Sequence, residues 1–127
     1  MENTSRMKSR RCAIEKLYSL EFNEPLNYDG VDEFAKELID GVISNKEKID
    51  EIISNCLFNY TIKRLNVVDL EIIRVATFEL LEKKIASAII INEAIELTKI
   101  YTNLDDDKAK AFNNKLLDNI SKYIDGK

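Results

Sequence analysis

Histidine and tryptophan are absent from the 127 residues, which include only three glycines, one proline and two cysteines. Each absence removes a class of chemistry. Without histidine no Ser/His/Asp or Cys/His nucleophile system can be assembled, nor a His-ligated zinc or haem site. Cys12 and Cys56 lie 44 positions apart, which excludes a CxxC redox pair and a four-cysteine zinc site. Two such thiols agree with a reducing compartment. Gly30, Gly41 and Gly126 are isolated from one another, so no glycine-rich phosphate loop can form. Most small-molecule enzyme classes are thereby set aside, and no cofactor or metal is expected. The most apolar stretch, Ala86 to Ile91, is interrupted by Ser87 and is far too short to cross a bilayer. The polar, basic N-terminus has no apolar signal core, so a cytoplasmic protein with no membrane partner is expected.

What is present reads as an ordinary globule, with 45% apolar and 33% charged residues and a length that suits one domain over 1–127. The net charge of −4 is unevenly spread. Residues 1–16 carry five cations (Arg6, Lys8, Arg10, Arg11, Lys16) against two anions, a local +3, while the other 111 residues carry fourteen against twenty-one, or −7. A basic arm, residues 1–11, precedes an acidic body.

Apolar residues recur at spacings of three and four along stretches that proline and glycine do not break, which predicts an all-α bundle of about six to seven helices. A first helix is expected over 6–22, with Ala13, Ile14, Leu17 and Leu20 inward. Asp29 is placed to cap a second, burying Val31, Phe34, Leu38, Ile39 and Val42. Ser44, with Glu47 three residues on, has capping-box spacing for a third carrying Ile49, Ile52, Ile53 and a core Cys56. A fourth spans 62–81 with Leu65, Val68, Ile72, Val75 and Ala76 in register, and Lys83 and Lys84 suit its negative end. Ser87 is placed to cap a fifth, with Ile91, Ala94, Ile95, Thr98 and Tyr101 inward. Asp105, Asp106 and Asp107 suit the start of a sixth, whose stripe is Phe112, Leu116, Ile120 and Ile124.

Few features carry chemistry. Glu93 and Glu96 resemble half of a di-iron carboxylate pair, but no histidine completes it, and a solvated helix face is the expected reading. The aspartate run lacks the alternation and central glycine of an EF-hand. The basic arm is more informative: on a helix Arg6, Lys8, Arg10 and Arg11 place several cations over the first turns, and clustered cations hold phosphates through bidentate hydrogen bonds and counterion release. A solubilising terminus is the alternative.

Several segments also resemble the NusB antitermination family. Arg11-Cys12-Ala13-Ile14-Glu15-Lys16-Leu17-Tyr18-Ser19 is similar to its first helix. Tyr60 to Leu65 followed by Val68-Asp69-Leu70-Glu71-Ile72-Ile73-Arg74-Val75-Ala76-Thr77-Phe78-Glu79-Leu80 resembles its aromatic-x-Leu-x-Arg-Leu and Val-Asp-x-x-Ile-Leu-Arg-x-Ala-x-Tyr-Glu-Leu stretch. Ile91-Asn92-Glu93-Ala94-Ile95-Glu96-Leu97-Thr98-Lys99 and Phe112-Asn113-Asn114-Lys115-Leu116-Leu117-Asp118 are similar to two later motifs, with Lys115 where the family has glycine.

The resemblance implies a non-enzymatic, all-helical protein that binds single-stranded boxA-type RNA in ribosomal RNA leaders. It implies a partner, the small-subunit ribosomal protein NusE, and entry into an RNA polymerase antitermination complex; some members pair as homodimers. Carried over by motif, Arg6, Lys8, Arg10, Arg11, Lys115 and Asp118 fall on the RNA side, and Asp69, Arg74 and Glu79 on the partner side. For Arg74, Glu79, Asn92 and Glu93, buried pairing or helix capping stays open as the alternative. Tyr18 can stack on a base, though its place beside Leu17 favours the core. The rival readings are a protein-interaction scaffold that binds no RNA, and an RNA-targeting module like that fused to ribosomal RNA cytosine methyltransferases.

Overall fold

The computed structural model describes the backbone of residues 2–102 and 107–126, with side chains from residue 6 onward. Six α-helices and one short 3-10 turn are present, and no strand occurs among the described residues. The helices are α1 (Glu2–Glu21), α2 (Glu33–Ser44), α3 (Lys46–Cys56), α4 (Val67–Glu82), α5 (Ser87–Tyr101) and α6 (Lys108–Asp125), with the 3-10 turn Ile62–Arg64 leading into α4.

α4 is the axle. It packs against all five other helices, with α1 beside α2, α3 beside α6, and α6 beside α5 around it. Its residues 70–80 are buried without a break, so Glu71, Arg74, Thr77 and Glu79 are inside along with Leu70, Ile72, Ile73, Val75, Ala76, Phe78 and Leu80. A helix enclosed on every side has no single apolar stripe, and its polar groups must find partners within the protein. The outer helices bury one face each. α1 contributes Ala13, Ile14 and Leu17; α2 contributes Ala35, Leu38, Ile39 and Val42; α3 contributes Ile49, Ile52, Ile53 and Cys56. The α2/α4 approach is close enough to require glycine: a Cβ on Gly41 would lie 2.1 Å from the Phe78 ring.

Several helix starts differ from the sequence reading, each for a local reason. Asp32, not Asp29, caps α2, accepting from the Ala35 amide at 2.7 Å. Asp29 sits in a turn where its amide donates to Asn27 Oδ1, next to Gly30 at φ +75°. Ser44 is the last residue of α2, and Asn45 occupies the start of α3 with no side-chain cap bond. The fourth segment is divided, because Asn66 stops the 3-10 turn and caps α4 by accepting from the amides of Val68 and Asp69. Lys83 ends α4 in the left-handed region at φ 59°. On α5 the buried set is Ile90, Glu93, Ala94, Leu97 and Thr98, which leaves Ile91 and Ile95 half-buried on its flank. Ser87 is the first residue of α5 and not its cap. Asp105 and Asp106 lie outside the described residues. Phe112, expected in the α6 stripe, is exposed, and Asn113 takes the buried position beside Leu116, Leu117 and Ile120.

Candidate nucleic-acid interface

The basic arm is the first half of α1, and helical geometry divides its cations between two fates. Arg10 precedes Ala13, Ile14 and Leu17 at spacings of three, four and seven, so it lies on the stripe that faces the core. Only 3% exposed, it makes a fork onto Glu79, with Nε donating to Oε2 and Nη2 to Oε1, both at 2.8 Å. Its Nη1 lies 3.7 Å from Glu93 Oε1, an atom that has no hydrogen-bond partner of its own. The expected RNA contact at Arg10 is therefore corrected: the guanidinium is enclosed by two carboxylates and cannot reach a phosphate. Arg6, Lys8 and Arg11 are exposed. The Arg6 guanidinium stands 4.9 Å from the centroid of the Phe34 ring. Arg11 lies over Tyr101 of α5, its Nε donating to the phenol oxygen at 3.3 Å, while that hydroxyl donates to Glu15 at 2.6 Å.

The residues assigned to a partner surface are also mostly internal. Glu79 is the acceptor for Arg10. Arg74 donates through Nε and Nη2 to the two Asp50 oxygens, each at 2.9 Å, and through Nη1 to Glu71 at 2.8 Å and Glu21 at 3.1 Å. Both belong to buried pairings because α4 is enclosed, so their assignment to an exposed surface is corrected. Burial pushes the Glu71 carboxyl up to about 7, against the pull of Arg74. Glu93 is likewise buried and only Glu96 is solvated, so the two do not form one solvated face. Asp69 is half-buried at the start of α4. It accepts from Thr102 Oγ1 at 2.6 Å and from Asn113 Nδ2 at 3.1 Å, and Asn113 also donates to Thr98 Oγ1 at 3.0 Å. This network ties the start of α4 to the end of α5 and the start of α6.

Next to that junction is a cluster the sequence reading did not assemble. Tyr60 and Phe112 pack with ring centroids 5.5 Å apart at 54°, and the Arg64 guanidinium stands 5.2 Å from the Tyr60 ring centroid. Both rings are partly exposed, and Phe58 nearby is 77% exposed. Lys115 and Phe112 border a hollow of about 200 Å3 beside Phe58 and Cys56. Three exposed aromatic rings within a small area, with Arg64 and Lys115 beside them, form a surface on which planar groups can stack and anions can be held. The available signal was Asn59, a turn residue at φ 56° between Phe58 and Tyr60, which turns those rings out of the helical pattern. Tyr18, expected in the core, is 38% exposed and packs on exposed Phe22 at 4.9 Å, because it sits at the edge of the α1 stripe. Asp118 is on the outer side of α6 and pairs with Lys122 at 3.1 Å.

Fold and surface together define an all-helical protein whose stacking rings, with Arg64 and Lys115 beside them, lie where the α3–α4 connection meets α6. Among the described residues no cluster is arranged to hold a metal, and no helix is long and apolar enough to cross a membrane. The sequence profile of the NusB family matches residues 7–122, and the chain belongs to that family. It is 34% identical over 125 residues to the transcription antitermination protein NusB of Listeria innocua serovar 6a, covering 91% of this chain and 95% of the relative. It is 37% identical over 134 residues to the protein of that name from Clostridium botulinum, covering 90% and 98%. The structure of Thermotoga maritima NusB superposes with a TM-score of 0.78 at 35% identity, covering 92% of this chain and 90% of that one. A chain in a structure described as "Crystal Structure of a Plectonemic RNA Supercoil" gives 0.81 at 27%, covering 97% and 96%. The family is one of non-catalytic antitermination proteins, and this chain is not an enzyme.

Proposed function

We propose that this chain is a cytoplasmic transcription antitermination factor. It binds unpaired boxA-type leader RNA of ribosomal RNA operons together with NusE and joins an RNA polymerase complex. The observation that carries the reading is the union of exposed rings with exposed cations: Tyr60, Phe112 and Phe58 beside Arg64 and Lys115. Arg11 and Lys8 extend this surface along α1, since Arg11 meets Tyr101 and the next residue, Thr102, meets Asp69 at the α4/α6 junction. Single-stranded RNA presents flat bases for stacking and phosphates for cations, whereas a paired helix hides its bases.

The RNA-contacting set is then Arg6, Lys8, Arg11, Lys115 and Asp118 with the rings, and Arg10 holds the arm in place. The −7 body disfavours indiscriminate attachment to nucleic acid, so affinity depends on stacking and on a second protein. The exposed Tyr18–Phe22 pair is an apolar surface suited to that partner, and the half-buried Asp69 is a second candidate contact for it. A homodimer covering the cationic side of α1 would compete with RNA.

Charge reversal at Arg11 and Lys115 tests the reading against the scaffold alternative. In a titration with labelled boxA-type RNA and a scrambled control, the double reversal is expected to weaken binding at least tenfold and to flatten its salt dependence. Unchanged affinity in the presence of NusE refutes the RNA assignment and leaves the scaffold.

A further inference from the structure

Helical periodicity gives α6 two unlike flanks. Phe112, Lys115 and Asn119 look toward the stacking rings, and Lys110, Ala111, Asn114 and Asp118 border an open groove of about 690 Å3 between α5 and α6. The volume lies within the roughly 300–1,000 Å3 range of sites for small organic groups. Its apolar wall is formed by Ile91 and Ile95, the two residues of α5 that the core leaves half-buried. Thr98, near the end of α5, meets Asn113, near the start of α6, and Lys99 and Lys110 border the groove beside that contact, toward the α5/α6 connection. Asn92 and Asp118 stand toward the other end, with Asn114 between. Neither carboxamide is committed to another side chain among the described residues. Asp118 uses Oδ2 toward Lys122, which leaves its other oxygen available as an acceptor.

We propose that this groove receives one unpaired nucleobase of the bound RNA and selects one whose Watson–Crick edge sets an amino donor beside an unprotonated ring nitrogen, adenine or cytosine. The proposal rests on the RNA reading above and adds a site to it. The isoleucine wall suits the face of a planar ring. A carboxamide offers a donor and an acceptor side by side, matching the amino group and ring nitrogen of adenine or cytosine, and Asp118 adds an acceptor for the same amino group. A carbonyl edge, as in uracil, meets the Asp118 carboxylate as acceptor against acceptor and is rejected. Lys99, which stands 3.3 Å from Glu96 in the free protein, borders the groove on the side where an adjoining phosphate would pass. Glu96 pairs with Lys99 and Asp118 with Lys122, so the groove holds a base through hydrogen bonds and leaves most of the phosphate attraction to the α1 arm and Lys115.

The test uses the full chain, with and without NusE, and fluorescein-labelled 12-nucleotide RNAs of the boxA type in which each position in turn is A, C, G or U. The wild-type protein is expected to show a position where A or C binds about 5–50-fold more tightly than U, the range of one good base contact. Asn92→Ala/Asn114→Ala and, separately, Asp118→Ala are expected to reduce that ratio below about threefold while leaving the salt slope unchanged, because no phosphate cation is removed. Thermal melts within about 2 °C of wild type exclude a folding defect at these exposed helix positions. Discrimination that survives in both variants, or is absent from wild type while RNA still binds, overturns the base site and leaves the RNA reading intact. Absence of RNA binding altogether overturns both.

Discussion

Replacing Arg10 by alanine separates an internal ion pair from an RNA contact. Arg10 and Glu79 are 3% and 2% exposed, and Arg10 is also the cation nearest the buried Glu93 oxygen. Truncation leaves two enclosed carboxylates facing one another without a cation, and breaking such a buried pair costs about 3–5 kcal/mol. With about 2.1 cal/mol/K of unfolding entropy per residue, a chain of 127 residues then loses about 10–20 °C in Tm. Differential scanning calorimetry at pH 7 reads the shift directly. Arg10→Lys keeps the charge but loses the two-pronged geometry, so it is expected to recover only part of the loss. Arg10→Met combined with Glu79→Leu and Glu93→Gln removes all the charges together and is expected to recover most of it. At a temperature where Arg10→Ala is folded, its salt slope for RNA is expected to equal wild type, whereas Arg11→Ala is expected to lower the slope by about 0.7 for a single strand. A Tm change under about 2 °C with a salt slope reduced like that of Arg11→Ala would refute the buried assignment.

Three other outcomes follow from the packing and the site. Gly41→Ala places a methyl carbon 2.1 Å from the Phe78 ring, and overpacking of this kind is expected to cost about 1–3 kcal/mol by urea denaturation; Gly41→Ala with Phe78→Leu is expected to be milder than Gly41→Ala alone. Glu71 has a folded pKa near 7, above the ordinary 4.5, so its neutral form favours the fold: the contribution is full below about pH 4.5 and is lost as pH rises through 7. Glu71→Gln keeps an acceptor for Arg74 and is expected to gain stability relative to wild type between pH 5 and pH 8.5, by up to about 3 kcal/mol, and a flat difference across that range refutes the assignment. Tyr60→Ala and Phe112→Ala are each expected to weaken RNA binding by about 1–3 kcal/mol per lost stack without changing the salt slope, as measured by anisotropy at several salt concentrations.

Most of the fold is legible in the periodicity, because the outer helices bury one face and their apolar spacing records it. Ile49, Ile52, Ile53 and Cys56 on α3, and Leu38, Ile39 and Val42 on α2, are buried where the pattern places them. α4 is the instructive exception. Enclosed on all sides, it admits Glu71, Arg74 and Glu79 because each has a partner: Glu71 and Arg74 meet one turn apart, while Arg74 also reaches Asp50 and Glu21, and Glu79 reaches Arg10, on other helices far away in sequence. No local spacing announces that Arg10 and Glu79, 69 positions apart, neutralise each other. Helical spacing does place Arg10 on the same stripe as Ala13, Ile14 and Leu17, which is the signal that a basic run alone obscures. Of the surface proposed to bind RNA, the cations Arg6, Lys8, Arg11 and Lys115 could be read from the sequence as an exposed basic group, and the rings could not, since Phe112 fits an apolar stripe as well as a surface. Only the packing of Asn113 inward turns Phe112 out toward Tyr60.

The most direct test of the central claim is one titration of labelled boxA-type RNA against this protein, with a scrambled RNA as control, each with and without NusE, at 50 and 200 mM salt. Selective binding to the boxA-type RNA is expected to tighten at least tenfold when NusE is added and to weaken as salt rises. Equal binding of both RNAs, or none with NusE present at either salt concentration, contradicts the account.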